Sequence, residues 1–194
     1  MTQRILVLLA HPARRRSRAN AALRRAAEGI ADVTLHDLYE AYPDFLIDVD
    51  REQALLLRHD VIVFQHPVYW YSCPAILKEW QDLVLEHGFA YGRAGTALAG
   101  KALLSAVTAG GSEPAYGPEG LNRHSLVEFL RPFEATARLC RMRWLPPFIL
   151  HGTHLLDEAA LARHATAYRA LLEGLRDGPA GARPAPPQHA HGGA

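Results

Sequence analysis

What limits this chain most is a recurring alternation: a short apolar run, a polar loop, then a segment with helical spacing. Ile5–Ala10 is unbroken apolar, Val61–Phe64 follows Asp60, and a third run lies within Lys101–Thr108. Runs this short and continuous suit strands buried on both faces of a sheet. Val33–His36 reads as another strand, and Trp144–Leu150 as the last. Pro146 and Pro147 confine that last one to a sheet edge or a bulge, because proline donates no ladder hydrogen bond. Between the strands, Ser17 caps a helix carrying Ala21, Leu23, Ala26 and Ala27. A short helix starts at Asp50 and runs through Leu55–Leu57. Pro74 opens one through Ile76, Leu77, Trp80, Leu83 and Val84. Leu126–Cys140 is helical with an interruption near Pro132, and Asp157 caps a last helix through Leu161, Tyr168, Leu171 and Leu172. Alternation of this kind predicts an α/β three-layer sandwich with helices on both faces of a parallel sheet. Five strands in one small domain give the order 2-1-3-4-5, with the proline-bearing strand at an edge. The predicted domain covers residues 1–177. In the tail, 178–194, eight of 17 residues are Gly or Pro, and its expected state is disorder. His189 and His191 are read there as passengers.

Composition removes several function classes. A chain of 194 residues buries one core without staples, and two cysteines, Cys73 and Cys140, make no disulfide framework. The apolar runs are too short for a membrane span or a signal-peptide core. A formal charge of +1 gives no nucleic-acid footprint. The expected location is the cytoplasm.

In a sheet of order 2-1-3-4-5, ligands sit beyond the carboxyl ends of the strands at the switch point, so the loops after strands 1, 3 and 4 are the candidates. The first, His11–Asn20, leads into a helix start where free N–H groups favour an anion. Neither a G-x-G-x-x-G turn nor a P-loop is present. The residues alone allow either an anion cradle or a capped helix with solvated arginines at 14–16. The second loop carries Val68-Tyr69-Trp70-Tyr71, three adjacent aromatics that either stack on a flat ring or plug a core or dimer contact. In the third, Thr108-Ala109-Gly110-Gly111 lets backbone N–H groups approach a ligand, and a long segment to Gly120 follows. No metal site is expected: His151-Gly152-Thr153-His154 lacks a visible third ligand. Ser17 and Ser112 lack a G-x-S-x-G, Cys73 reads as an inert thiol, and Asp48 and Asp50 read as a solvated cap.

Taken in order, these residues form a familiar set. It comprises His11-Pro12 with Ser17 and Asn20, Tyr42-Pro43-Asp44-Phe45, and Gln65-His66-Pro67 with Trp70-Tyr71. It continues with Gly95-Thr96-Ala97-Leu98, Thr108-Ala109-Gly110-Gly111 and Trp144-Leu145-Pro146-Pro147-Phe148. The chain resembles the flavodoxin-like NAD(P)H:quinone oxidoreductases over about residues 4 to 175. Within them it is most similar to the branch of ancillary subunits of bacterial glutathione-regulated potassium-efflux systems. The resemblance implies a flavin, FMN in that branch or FAD in the wider family, and NAD(P)H as co-substrate. It assigns cofactor binding to His11, Ser17, Arg18, Ala19, Asn20, Val68, Tyr69, Trp70, Tyr71, Thr108, Ala109, Gly110 and Gly111. The implied reaction is ping-pong: a hydride reaches the flavin N5, then a quinone takes two electrons at the same site.

Tyr116 falls where the wider family has a tyrosine that hydrogen-bonds the quinone. The family's histidine a few residues on is replaced by Asn122, and His124 stands two positions later. Ala109 stands where a second threonine is common. The resemblance also implies a homodimer with the site at the subunit boundary, and a potassium-efflux transporter as partner, which would bring the protein to the inner face of the membrane. The alternative to the reductase is a regulatory subunit on such a transporter. A one-electron flavodoxin carrier is disfavoured by the +1 charge, since flavodoxins are acidic.

Overall fold

The computed structural model describes residues 2–13 and 17–178. The expected tail lies outside them apart from Gly178, as do the arginines at 14–16. Strands and helices alternate as the sequence predicts. They are β1 (Ile5–Leu9), α1 (Arg18–Ala27), β2 (Val33–Asp37), then α2 (Leu38–Ala41) and α3 (Val49–Arg58), β3 (Val61–Pro67), α4 (Ala75–Val84) and β4 (Ala102–Thr108). After a single 3-10 turn at Glu113–Ala115 come α5 (Leu126–Phe129), α6 (Arg131–Leu139), β5 (Arg143–Trp144), β6 (Phe148–Leu150) and α7 (Glu158–Asp177). The pairings within the sheet are parallel, in the order β2-β1-β3-β4-β5, with β6 also on β4. The fold is thus the expected three-layer α/β sandwich.

Three local differences have physical causes. The last strand is two pieces: Leu103 pairs with Trp144 but Ala106 with Phe148, one residue more than even pairing allows. The extra residue falls at Leu145–Pro147, a bulge placed where the prolines cannot join the ladder. The helix expected over 126–140 breaks at Leu130, which is the C-cap of α5 and precedes Pro132 at the start of α6. Finally, α2 is an addition to the expected elements; Asp37 caps it through Tyr39 N and Glu40 N, while Asp48 caps α3, whose first residue, Val49, is one residue earlier than the expected start.

Alternate residues of the strands feed two cores. Ile5, Val7, Val61, Val63, Leu104 and Ala106 pack beneath α1 and α7 with Leu23, Tyr168 and Leu172. Leu6, Leu8, Ile62, Phe64 and Leu103 face Leu56, Ile76, Trp80 and Phe133 on the other side. No helix among the described residues is long and apolar enough to cross a membrane.

The second core encloses a carboxylate. Glu52 on α3 is 0 % exposed. It accepts hydrogen bonds from Tyr42 Oη at 2.6 Å, Trp80 Nε1 at 2.8 Å and His36 Nε2 at 2.8 Å. Burial alone would raise its pKa, but the three donors outweigh burial and hold it below the usual glutamate value. The network joins β2, the turn after α2, α3 and α4 through one group. Glu52→Gln would turn an amide NH2 toward a donor and is expected to cost about 3 kcal/mol in urea unfolding. Because the folded pKa is depressed, this contribution is complete above the ordinary glutamate pKa and is lost as pH falls from there through the lower folded value. Stability of the wild type is therefore expected to drop more steeply on acidification than that of Glu52→Gln, read from midpoints across an acid pH series.

Candidate active site

The carboxyl ends of β1, β3 and β4 are fastened to one another at Thr108. Its Oγ1 accepts from Asn20 Nδ2 at 2.7 Å, and its carbonyl accepts from Val68 N at 2.8 Å. Gln65 at the end of β3 donates to the Asn20 carbonyl at 3.2 Å. The end of the first expected loop and the starts of the second and third therefore meet at a common point. Asn20 and Gln65 are buried, yet Asn20 Oδ1 and Gln65 Oε1 have no hydrogen-bond partner among the described residues. Acceptors enclosed in this way are costly unless something donates to them.

The first loop ends in Ser17, whose Oγ caps α1 by accepting from Asn20 N at 3.1 Å. Arg18 and Ala19 follow in the first turn, where helix N–H groups point outward. Arg18 straps this turn to the start of α7, donating to the Leu156 carbonyl at 3.3 Å and to Glu158 Oε1 at 2.5 Å. His11 Nδ1 accepts from Ala13 N at 3.0 Å, which leaves its other ring nitrogen as the donor. Burial holds the pKa of His11 below the usual value. The His11 ring meets Tyr69 edge-on at 6.0 Å, joining the first loop to the second.

The second loop is a tight reversal. Tyr69 and Ser72 exchange backbone hydrogen bonds of 3.1 and 3.0 Å across Trp70 and Tyr71. Both central residues are left-handed, with φ of 49° and 62°. This is the turn that asparagine and glycine normally make, and two aromatics in it cost roughly 1 kcal/mol or more each. The outcome is a Trp70 side chain 93 % exposed at the tip. Strain kept at such a cost gathers where a loop has work to do.

The third loop runs Ala109-Gly110-Gly111. A Cβ on Gly111 would stand 2.9 Å from Tyr116 Cε2, and one on Gly110 would stand 2.9 Å from His154 Nε2. The tyrosine thus packs directly on the glycine backbone. Phe129 gathers the aromatics: Tyr71 lies 4.9 Å from it, Tyr116 6.3 Å and His124 5.9 Å, centroid to centroid. Burial raises the Tyr116 pKa, and the neighbouring Tyr71 adds to it. His124 is exposed and turned to Glu128, with its Nδ1 3.4 Å from Oε1, so the structure does not bring it against Tyr116. Asn122 spends its amide on the Ala115 carbonyl at 3.0 Å.

Two contributors escaped the sequence reading. Phe129 had no signal beyond lying in a helix-like stretch. The segment 151–154, read only as a poor metal motif, is a fourth side of the site. Gly152 N donates to the Gly111 carbonyl at 2.8 Å and Thr153 N to the Ala109 carbonyl at 3.1 Å. His151 meets Tyr116 at 5.5 Å. Its position after the last strand of the sheet was the available clue.

Comparison with known proteins agrees with this architecture. The model of the flavodoxin-like fold family matches residues 3–172. The glutathione-regulated potassium-efflux system ancillary protein KefG of Enterobacter sp. (strain 638) is 52% identical over 167 residues, 86% of this chain and 91% of that one. Among solved structures, the general stress protein 14 of Treponema denticola in complex with FMN superposes with a TM-score of 0.84 at 40% identity, over 89% of this chain and 99% of that one. An NADPH-quinone reductase from P. pentosaceus does so at 0.80 and 35%, over 87% and 97%. A chain described as a thermophilic tryptophan halogenase from Streptomycin violaceusniger matches at 0.83 and 46%, over 84% and 95%. The chain belongs to the flavodoxin-like family that includes the potassium-efflux ancillary proteins it resembles.

Proposed function

We propose that this protein binds FMN and catalyses the reduction of a quinone, or a similar electrophile, by NAD(P)H. The observation that carries the reading is the fastening of three strand-end loops at Thr108, which leaves a buried Asn20 acceptor without a partner among the described residues in the first turn of α1. The residues present suit the cofactor. The first turn of α1 with Ser17, Arg18 and Ala19 takes the phosphate, and His11 adds a donor. The Asn20 Oδ1 matches the hydroxyls of a ribityl chain. Val68–Tyr71 and Ala109–Gly111 border the ring, with Gly110 and Gly111 leaving room for His154 and Tyr116 to pack against the backbone behind them. When bound, the flavin supplies a ring that takes a hydride and passes on two electrons. Backbone N–H groups of the third loop stabilise negative charge there, and the Tyr116 hydroxyl hydrogen-bonds the acceptor oxygen. FMN is placed ahead of FAD because an adenylate beyond the phosphate would have to displace the Arg18 strap to α7.

Support comes from the FMN complex and the NADPH-quinone reductase among the similar structures. The halogenase name on another shows why the site and not the scaffold has to carry the argument. A second reading, docking on a potassium-efflux transporter, is favoured by the name of the 52% identical relative. The two are compatible. A homodimer is part of the proposal: exposed Trp70, Tyr71 and Val127 offer apolar surface near the loops to a second copy.

The first test is visible absorption of the purified protein. A flavin spectrum is expected that bleaches with anaerobic NADPH and returns with a soluble quinone, without a semiquinone band. Protein that takes up neither FMN nor FAD overturns the reading and leaves transporter docking, tested by co-purification. Gly111→Leu displaces Tyr116 and is expected to lower flavin occupancy severalfold. Tyr116→Phe is expected to keep full occupancy while slowing quinone turnover about tenfold or more, read by steady-state kinetics; an unchanged rate removes Tyr116 from the reaction.

A further inference from the structure

We propose, resting on the reading of Tyr116 as the group that meets the acceptor oxygen, that the acceptor is a quinone with an isoprenoid or similar hydrocarbon tail. A cavity beside the third loop holds this tail. Tyr116 stands between the two compartments. Its ring packs on the Gly111 backbone, and it also lines a cavity of about 670 Å³ at the edge of the sheet. A substituent next to the carbonyl that meets Tyr116 is thus within reach of the cavity.

The chain builds much of this cavity from hydrocarbon. Pro146, Pro147 and Ile149 come from the broken edge strand, Leu126 from α5, and Leu155 and Leu156 from the approach to α7. Gly152, with φ of 61°, turns the chain after β6, and Leu155 N donates back to the Gly152 carbonyl at 2.7 Å. The same turn is tied to the third loop, because Gly152 N donates to the Gly111 carbonyl at 2.8 Å. The walls therefore keep their spacing from Tyr116 before a tail enters, and little ordering entropy opposes binding. Leu155 is exposed at the rim, where a hydrocarbon guest covers it.

The polar groups on the walls suit no anionic guest. Ser125 is engaged in the capping box with Glu128. Burial keeps His151 and His164 below the usual imidazole value, so both rings are neutral at pH 7. Glu113, exposed on the 3-10 turn, adds a negative charge that repels the phosphates of NAD(P)H. The cavity thus favours the acceptor over the hydride donor. A peptide strand fits this edge poorly, because Pro146 and Pro147 offer it no N–H donors.

One test needs no flavin. FMN-free protein with 13C-labelled isoleucine and leucine methyls is titrated with a benzoquinone bearing two isoprenoid units, and with the same ring lacking a tail. The Ile149 and Leu155 resonances are expected to shift and saturate with the tailed compound alone. Shifts with both compounds, or with neither, overturn the cavity as a tail site. Shifts that follow protein concentration instead give this face to a second copy and also overturn it. In FMN-loaded protein bleached by NADPH, reoxidation is then measured with tails of zero, one and two units. The second-order rate constant is expected to rise about fivefold per unit. Leu155→Asp is expected to flatten that series and Leu155→Met to keep it, with bleaching by NADPH and reoxidation by the tail-less ring unchanged in both. A flat series in the wild type, or a steep one in Leu155→Asp, defeats the proposal. Protein that never bleaches defeats the reductase reading, while the methyl titration still decides whether the cavity takes a tail.

Discussion

The hydrogen bond between Asn20 and Thr108 is the constraint on which the site depends. Loops at the ends of parallel strands have no ladder to hold them, and each is free to drift once its strand ends. Here one threonine uses its side chain for the α1 turn and its carbonyl for Val68, and then begins the third loop itself. The bond is buried, where loss of either partner leaves a polar group stranded. Three segments separated by dozens of residues thus share one origin, and their spacing is set by the strand separation of the sheet. A site fixed in this way needs little ordering when a ligand arrives.

The opposite face is held by different means. Glu52 takes three donors from three elements, so the segment between β2 and α3 cannot move without breaking a charged network. That segment contains the Tyr42–Phe45 turn and follows directly from β2. The two polar knots divide the labour: Thr108 sets the loops relative to one another, and Glu52 sets the helical layer on which β1 and β3 rest. Apolar packing fills the volume between them but, being non-directional, would tolerate small slides that these bonds forbid.

Most of the architecture was legible because it rests on local patterns. Unbroken apolar runs became central strands, Ser17 and Asp157 became caps, and Pro74 stands at the N-cap of α4, immediately before its first turn. The three loops were legible through topology, which places strand ends 1, 3 and 4 together whatever their sequences. What escaped reading is non-local. Glu52 looks like any helix-surface glutamate, since its donors come from His36, Tyr42 and Trp80. Phe129 and His151 acquire meaning only from the side chains that the fold brings to them. His124 shows the converse: proximity in sequence to Tyr116 did not become proximity in space, because the capping box of Ser125 and Glu128 draws it onto α5.

The bulge at the sheet edge links these observations. A regular fifth strand would run straight past the end of β4 and present its side chains in register along its length. Pro146 and Pro147 cannot donate to the ladder, so the strand breaks, gains one residue and resumes as β6. The gained residue moves everything after it by one place, and a shift of one reverses which side chains face which layer. As a result Leu150 is buried against α7 and His151 emerges beside Tyr116 instead of the reverse. An edge strand, which needs protection from pairing with other chains, is thereby blunted by the same two prolines that give the site its fourth side.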